Sequence, residues 1–230
     1  MAFIYADDFI FFKIYLFDNR GAGRTDKPDI PYSIKMMADD TIGLMDNLGI
    51  EKANVLGFSM GGSIAQEIAL NYPERIEKLI LCGAGPGGPN SVPISKEVMS
   101  LLTFDREGLT PSDVLRKTLP ILFPESFIKN HPDEIEEFIR RSILAPIPPY
   151  SYNRQLEAAR KFNSFDRLKN LKIPTFIIDG KEDNLVPPQN SEILAENIPG
   201  AKITLIENVG HGMFTQVPIL MAKTLLEFLR

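Results

Sequence analysis

The sequence predicts an α/β protein: a mostly parallel sheet flanked by helices, with a helical insertion between two of its strands. Three observations predict it. Apolar runs alternate with stretches of helical spacing between residues 33 and 83, and strand, helix, strand in succession requires crossovers that leave neighbouring strands parallel. One such run, Ala53-Asn54-Val55-Leu56, enters Gly57-Phe58-Ser59-Met60-Gly61-Gly62 and continues as a helical pattern, which puts a serine on a strand-to-helix corner. The alternation then stops near residue 86 and resumes at Pro174-Thr175-Phe176-Ile177-Ile178-Asp179.

Taken in order, Ile14-Tyr15-Leu16-Phe17 reads as a buried strand running into Asp18-Asn19-Arg20-Gly21-Ala22-Gly23-Arg24-Thr25-Asp26. Two glycines in a polar run mark a tight structural corner. It is not a dinucleotide fingerprint, because the third glycine is absent and no helix opens on it. Over residues 33–48, Ile34, Met37, Ala38, Thr41, Leu44, Met45 and Leu48 recur at helical spacing, with Ser33 placed to cap the start and Gly49 the end. The helix after Ser59 runs to Tyr72, where Pro73 stops it, and a strand covers 78–83.

Residues 86–170 are rich in proline and poor in strand-like runs, with helical pieces at 112–119 and 132–144. They are expected to form a helical cap over the carboxyl edge of the sheet. Three segments result: 1–85 and 171–230 as the two parts of one α/β core, and 86–170 as the cap. Arg140, Arg141, Arg154 and Arg160 are expected to face water, with a substrate carboxylate as the alternative partner. Beyond the cap come a helix at 189–197, a strand at 202–207, the loop Asn208-Val209-Gly210-His211-Gly212 and an amphipathic helix at 218–229.

A serine in a sharp strand-to-helix turn takes strained backbone angles, and small residues two positions either side, Gly57 and Gly61, avoid a clash. Its hydroxyl attacks at neutral pH only if a base takes the proton. The chain has two histidines. His131 sits in the polar run Lys129-Asn130-His131-Pro132-Asp133 and is expected to be solvated. His211 follows the last strand, on the same sheet edge as Ser59, and is the candidate base. A carboxylate that fixes the imidazole tautomer completes such a site; Asp183 is the first choice, with Asp179 and Glu182 as alternatives.

Composition bounds the rest. With 230 residues, 44% hydrophobic, one sizeable core is expected. A net charge of -5 argues against binding nucleic acid through its phosphates. The single cysteine, Cys82, makes no internal disulfide and reads as a buried structural thiol in a cytoplasmic protein. The apolar run 9–17 is too short to span a membrane and is interrupted by Lys13; Asp7 and Asp8 stand where a secretory signal would be basic.

On four segments the chain resembles the α/β-hydrolase superfamily, in its branch of capped enol-lactone hydrolases, haloperoxidase-like esterases and carbon-carbon bond hydrolases. The segments are the corner 18–25, the nucleophile turn 57–62, the loop 180–187 and Gly210-His211. The resemblance implies a Ser59–His211–Asp183 triad acting on an ester, lactone or related acyl bond of a small apolar substrate. It also implies the Met60 N–H as one oxyanion donor, and neither metal nor organic cofactor. Complete members carry further strands ahead of the segment at Ile14, so the chain reads as N-terminally truncated relative to the family. A catalytically impaired scaffold or fragment that binds small ligands is the alternative function. Without the third strand, Ile14 to Phe17 is expected to move against Val55, with 33–48 as the crossover helix. Phe3-Ile4-Tyr5 could form a strand, and the apolar edge at 9–17 is a candidate surface for dimerisation or aggregation.

Overall fold

A computed structural model describes residues 12–145 and 147–230. Among them, four parallel strands form one sheet in the order β1 (Ala53–Phe58), β2 (Ile76–Cys82), β3 (Thr175–Gly180), β4 (Lys202–Ile206). The helices that make the first crossovers are α1 (Ile34–Asn47) and α2 (Met60–Asn71). Ser33 caps α1, its side chain accepting the Met36 N–H at 3.1 Å, and Gly49 leaves it with a positive φ of 66°.

Burial follows the two-residue period of the strands. Leu79, Leu81 and Ile177 turn to one face and join Met37, Ala38, Ile64, Ile68 and Leu194 in the larger core cluster. Ile80, Cys82, Phe176 and Ile178 turn to the other and pack with Met213, Met221 and Leu225. β3 is buried along its whole length, as befits a central strand covered on both faces.

Between β2 and β3 the described chain is helical: α3 (Lys96–Thr103), α4 (Pro111–Leu122), α5 (Glu125–Asn130), α6 (Pro132–Ser142) and α7 (Pro149–Lys161), then a 3-10 turn (Phe165–Asn170). α4 to α6 hold a cluster of their own around Leu119, Phe123, Phe127, Ile135 and Ile139. The end of the segment packs differently, since Ala158, Phe162, Leu168 and Leu171 belong to the main core. α8 (Gln189–Asn197) crosses from β3 to β4, and α9 (Met213–Gln216) and α10 (Pro218–Leu229) close the chain. Among the described residues, no helix is long and apolar enough to cross a membrane.

The corner at 18–26 is structural, as expected. Arg20 makes a bidentate ion pair with Asp40 on α1, and Ser151 and Gln155 of α7 donate to the carbonyls of Gly21 and Arg20 at 2.7 and 2.9 Å.

One expectation fails. Ile14, Tyr15, Leu16 and Phe17 form no strand and do not move against Val55; among the described residues β1 is paired with β2 alone. All four side chains are exposed, Leu16 to 66%. Apolar composition favours burial, but a strand exists only where a ladder of hydrogen bonds satisfies its backbone, and none ties this run to β1. The expected strand Phe3-Ile4-Tyr5 lies outside the described residues.

The contrast between these positions is measurable. Ile177→Ala should lower stability by about 2–5 kcal/mol in urea unfolding, the usual cost of a core truncation. Leu16→Ala should change it by less than about 0.5 kcal/mol; a loss like that at Ile177 would show the run to be buried in solution.

Candidate active site

Ser59 stands between the last residue of β1 and the first of α2, with φ 55° and ψ -124°. It is one of two non-glycine residues with positive φ among those described. Such a conformation costs on the order of 1–3 kcal/mol and persists only where the surroundings enforce it. Two hydrogen bonds do so: the Ser59 N–H donates to the Cys82 carbonyl at 2.9 Å, and the Gly62 N–H donates to the Ser59 carbonyl at 2.8 Å.

The glycines around the turn have unequal roles. A Cβ on Gly57 would lie 2.2 Å from the Gly61 carbonyl oxygen, and one on Gly62 would lie 2.4 Å from the Ala84 Cβ. A Cβ on Gly61 would meet nothing within 4 Å. The expectation that Gly57 and Gly61 are the pair needing to be small is therefore corrected to Gly57 and Gly62. Gly61 contributes its backbone carbonyl to the tight approach, and Gly62 lets α2 lie close against the chain leaving β2.

His211 and Asp183 come together on the loops after β4 and β3. His211 Nδ1 is 2.6 Å from Asp183 Oδ2, and both residues are buried. Asp183 Oδ1 accepts the N–H groups of Leu185 and Val186 at 2.8 and 2.7 Å, so the carboxylate is fixed by its own loop. Neither Asp179 nor Glu182 is hydrogen-bonded to His211 among the described residues. The imidazole lies beside Phe58, ring centroids 4.7 Å apart, and against Gly83, where a Cβ would come within 3.2 Å of the ring.

Ser59 is half-buried, and its hydroxyl makes no hydrogen bond among the described residues. Met60 opens α2, and the first N–H of a helix has no acceptor within it; this donor sits beside the serine. His131 is exposed, stacks on Phe127 and lies 3.3 Å from Glu134, so it is far from these groups in role as well as in sequence. Arg140 and Arg141 both pair with Glu137, and Arg154 pairs with Asp29. Cys82 is fully buried, and burial pushes its thiol well above the usual range, which leaves it unreactive. Among the described residues no cluster of three or more His, Cys, Asp or Glu is arranged to hold a metal ion.

A site residue that sequence reasoning passed over is Gly83. It has φ 51° and makes room for the imidazole above the end of β2. A lone glycine just after an apolar strand gives no signal of that purpose, because the ring it accommodates is 128 residues away in the chain.

A strained serine at a strand-to-helix turn, and a buried imidazole-carboxylate pair on loops of the same sheet edge, are the features of a hydrolase built on a parallel α/β sheet. The model of the α/β hydrolase fold family matches residues 3–216, and the chain belongs to that family. A protein of Pseudomonas savastanoi pv. phaseolicola assigned as the carbamate hydrolase RutD is 29% identical over 218 residues, covering 94% of this chain and 83% of that protein. Among solved structures, a thermophilic esterase from Thermogutta terrifontis is 32% identical with a TM-score of 0.77, over 93% of this chain and 78% of its own. The enol-lactonase from Burkholderia xenovorans is 26% identical with a TM-score of 0.78, over 92% and 78%. The chain is thus an α/β-hydrolase enzyme.

The unequal glycines give a direct test. Gly57→Ala and Gly62→Ala should each lower the melting temperature by several degrees and disturb the turn, whereas Gly61→Ala, with open space for its methyl, should melt within about a degree or two of wild type. Equal losses at all three positions would show that the turn in solution is packed differently.

Proposed function

We infer that the chain is a serine hydrolase in which Ser59 is the nucleophile, His211 the base and Asp183 the carboxylate behind it. The observation that carries this reading is the buried 2.6 Å His211–Asp183 pair at the sheet edge that also bears the strained Ser59 turn. As Ser59 Oγ attacks an acyl carbon, its proton passes to His211 Nε2, and Asp183 stabilises the imidazolium that forms. The negative charge on the former carbonyl oxygen is met by the N–H of Met60. His211 then returns the proton to the leaving group, and water repeats the sequence on the acyl-enzyme. Among the described residues Ser59 and His211 are not hydrogen-bonded, and this reading requires them to approach when substrate binds.

The substrate is a small ester, lactone or carbamate-like compound. The names of the relatives support this class, since carbamate hydrolase, esterase and enol-lactonase all describe attack at an acyl carbon. The Leu, Ile and Phe content of the segment between β2 and β3 supports an apolar acyl or ring portion. A cytoplasmic location belongs to the same reading, on the single buried cysteine. Self-association through the exposed run at Ile14 to Phe17 is a further part of it, read by sedimentation at high concentration; a monomer throughout counts against it.

Labelling with a fluorophosphonate probe tests the assignment. Wild type should label, and Ser59→Ala should not. His211→Ala should label, and turn over a panel of esters and lactones, about 10⁴- to 10⁶-fold more slowly, the usual loss for a triad member. A folded wild-type chain that takes no label would turn the reading to a scaffold that binds small ligands without hydrolysing them.

A further inference from the structure

The peptide unit just before His211 is held on both sides. Its Val209 carbonyl accepts the Glu182 N–H at 2.9 Å, which ties it to the loop that carries Asp183. Its Gly210 N–H donates to Gln216 Oε1 at 2.8 Å. Gly210 is buried, and among the described residues this N–H has no backbone acceptor. The amide of Gln216 is oriented by the same loop, because its Nε2 faces the Asn208 carbonyl at 3.4 Å. Gln216 can reach back past His211 because the chain turns through α9 directly after the histidine, with the Gln216 N–H donating to the Gly212 carbonyl at 3.0 Å.

A peptide unit is planar, so bonds on its two sides fix the orientation of the whole plane. This matters at Gly210, which has no side chain to pack and a wide choice of backbone angles. A buried N–H left without an acceptor is costly, so a chain that loses the Gln216 oxygen gains by turning that plane elsewhere. Around His211 the chain is anchored by the Glu182 bond to Val209, the Gln216 bond to Gly210, and the Gly212 N–H bond to the Leu122 carbonyl at 2.7 Å. The first and last join backbone groups. The bond to Gly210 depends on the identity of a side chain.

We propose that Gln216 is a positioning residue for the base: by accepting the Gly210 N–H, it keeps the peptide before His211 in the orientation that seats the imidazole on Asp183, beside Phe58 and Gly83. The effect on catalysis rests on the function proposed above; the seating of the ring does not.

Two substitutions separate the hydrogen bond from the bulk of the side chain. Gln216→Met keeps the length and puts a weakly accepting thioether in place of the amide, whereas Gln216→Glu keeps an oxygen acceptor for Gly210. In fluorophosphonate labelling, the maximal rate should fall about 10- to 100-fold in Gln216→Met, the scale of loss when a reacting group is displaced by up to about 1 Å. The half-saturating probe concentration should stay as in wild type, and Gln216→Glu should label close to the wild-type rate. Met45 lies in the core cluster on the opposite face of the sheet from Val209 and Met213, so Met45→Ala should lower the melting temperature without lowering the maximal rate.

Proton NMR reads the seating without activity. The chain has two histidines and His131 is exposed, so a low-field line that exchanges slowly with water belongs to the His211 Nδ1 proton held on Asp183. The line should be present in wild type and Gln216→Glu and lost to exchange in Gln216→Met. Equal labelling rates in wild type and Gln216→Met, equal losses in Gln216→Met and Gln216→Glu, or a comparable loss in Met45→Ala would each overturn the proposal. If no chain labels, the low-field line decides: its loss in Gln216→Met alone upholds the positioning role while the serine-hydrolase reading fails, and its persistence in every chain overturns that role.

Discussion

The close approach of Gly57 to the Gly61 carbonyl is the constraint on which the site depends. It lets the chain pass from β1 to α2 through a single residue, and that residue can reverse the backbone only by taking a positive φ. The strain at Ser59 is thus the cost of a turn too tight for any ordinary geometry. It is offset by what surrounds it: the bond from the Ser59 N–H to the end of β2, and the packing of α2 against α1 and the sheet.

The parallel sheet then decides how far the His211 loop must reach toward Ser59. Every strand ends at the same edge, but β4 lies three strand spacings from β1, roughly 14 Å. A histidine on the loop after β4 has to return across the ends of β3 and β2 to approach Ser59. The loop manages this because β2 ends in Gly83, whose missing side chain leaves a place for the imidazole, and because Phe58 gives the ring an aromatic neighbour. Asp183, on the loop after β3, lies along that return path. The order of strands thus puts the Asp183 loop, after β3, next to the His211 loop, after β4.

Much of this was legible in the sequence wherever the signal is local. Ser33 and Gly49 mark the ends of α1 by capping chemistry, and α8 and α10 carry their bounds in short patterns flanked by proline. The serine turn was legible because its strand and helix are contiguous with it. Choosing among Asp179, Glu182 and Asp183 was harder, since three acids within five residues differ only in how the loop turns; the Asp183 N–H to Gly180 carbonyl bond sets that turn. Gly62 and Gly83 were missed for a related reason. Each is required by a group distant in sequence, Ala84 across a strand and His211 across half the chain. The run at Ile14 misled because its composition suits a strand, while strand formation depends on an available partner.

The helices between β2 and β3 also hold the loop that carries His211. The Gly212 N–H donates to the Leu122 carbonyl at 2.7 Å, and a Cβ on Gly212 would lie 2.0 Å from the Phe123 ring. Phe123 in turn is buried in the cluster shared by α4, α5 and α6, and Pro124 presses on Gly210. The residues on both sides of His211 are therefore fixed to the insertion, whose α4–α5 junction acts as a wall for the histidine loop. The helical segment therefore helps the sheet to hold the loop that carries His211.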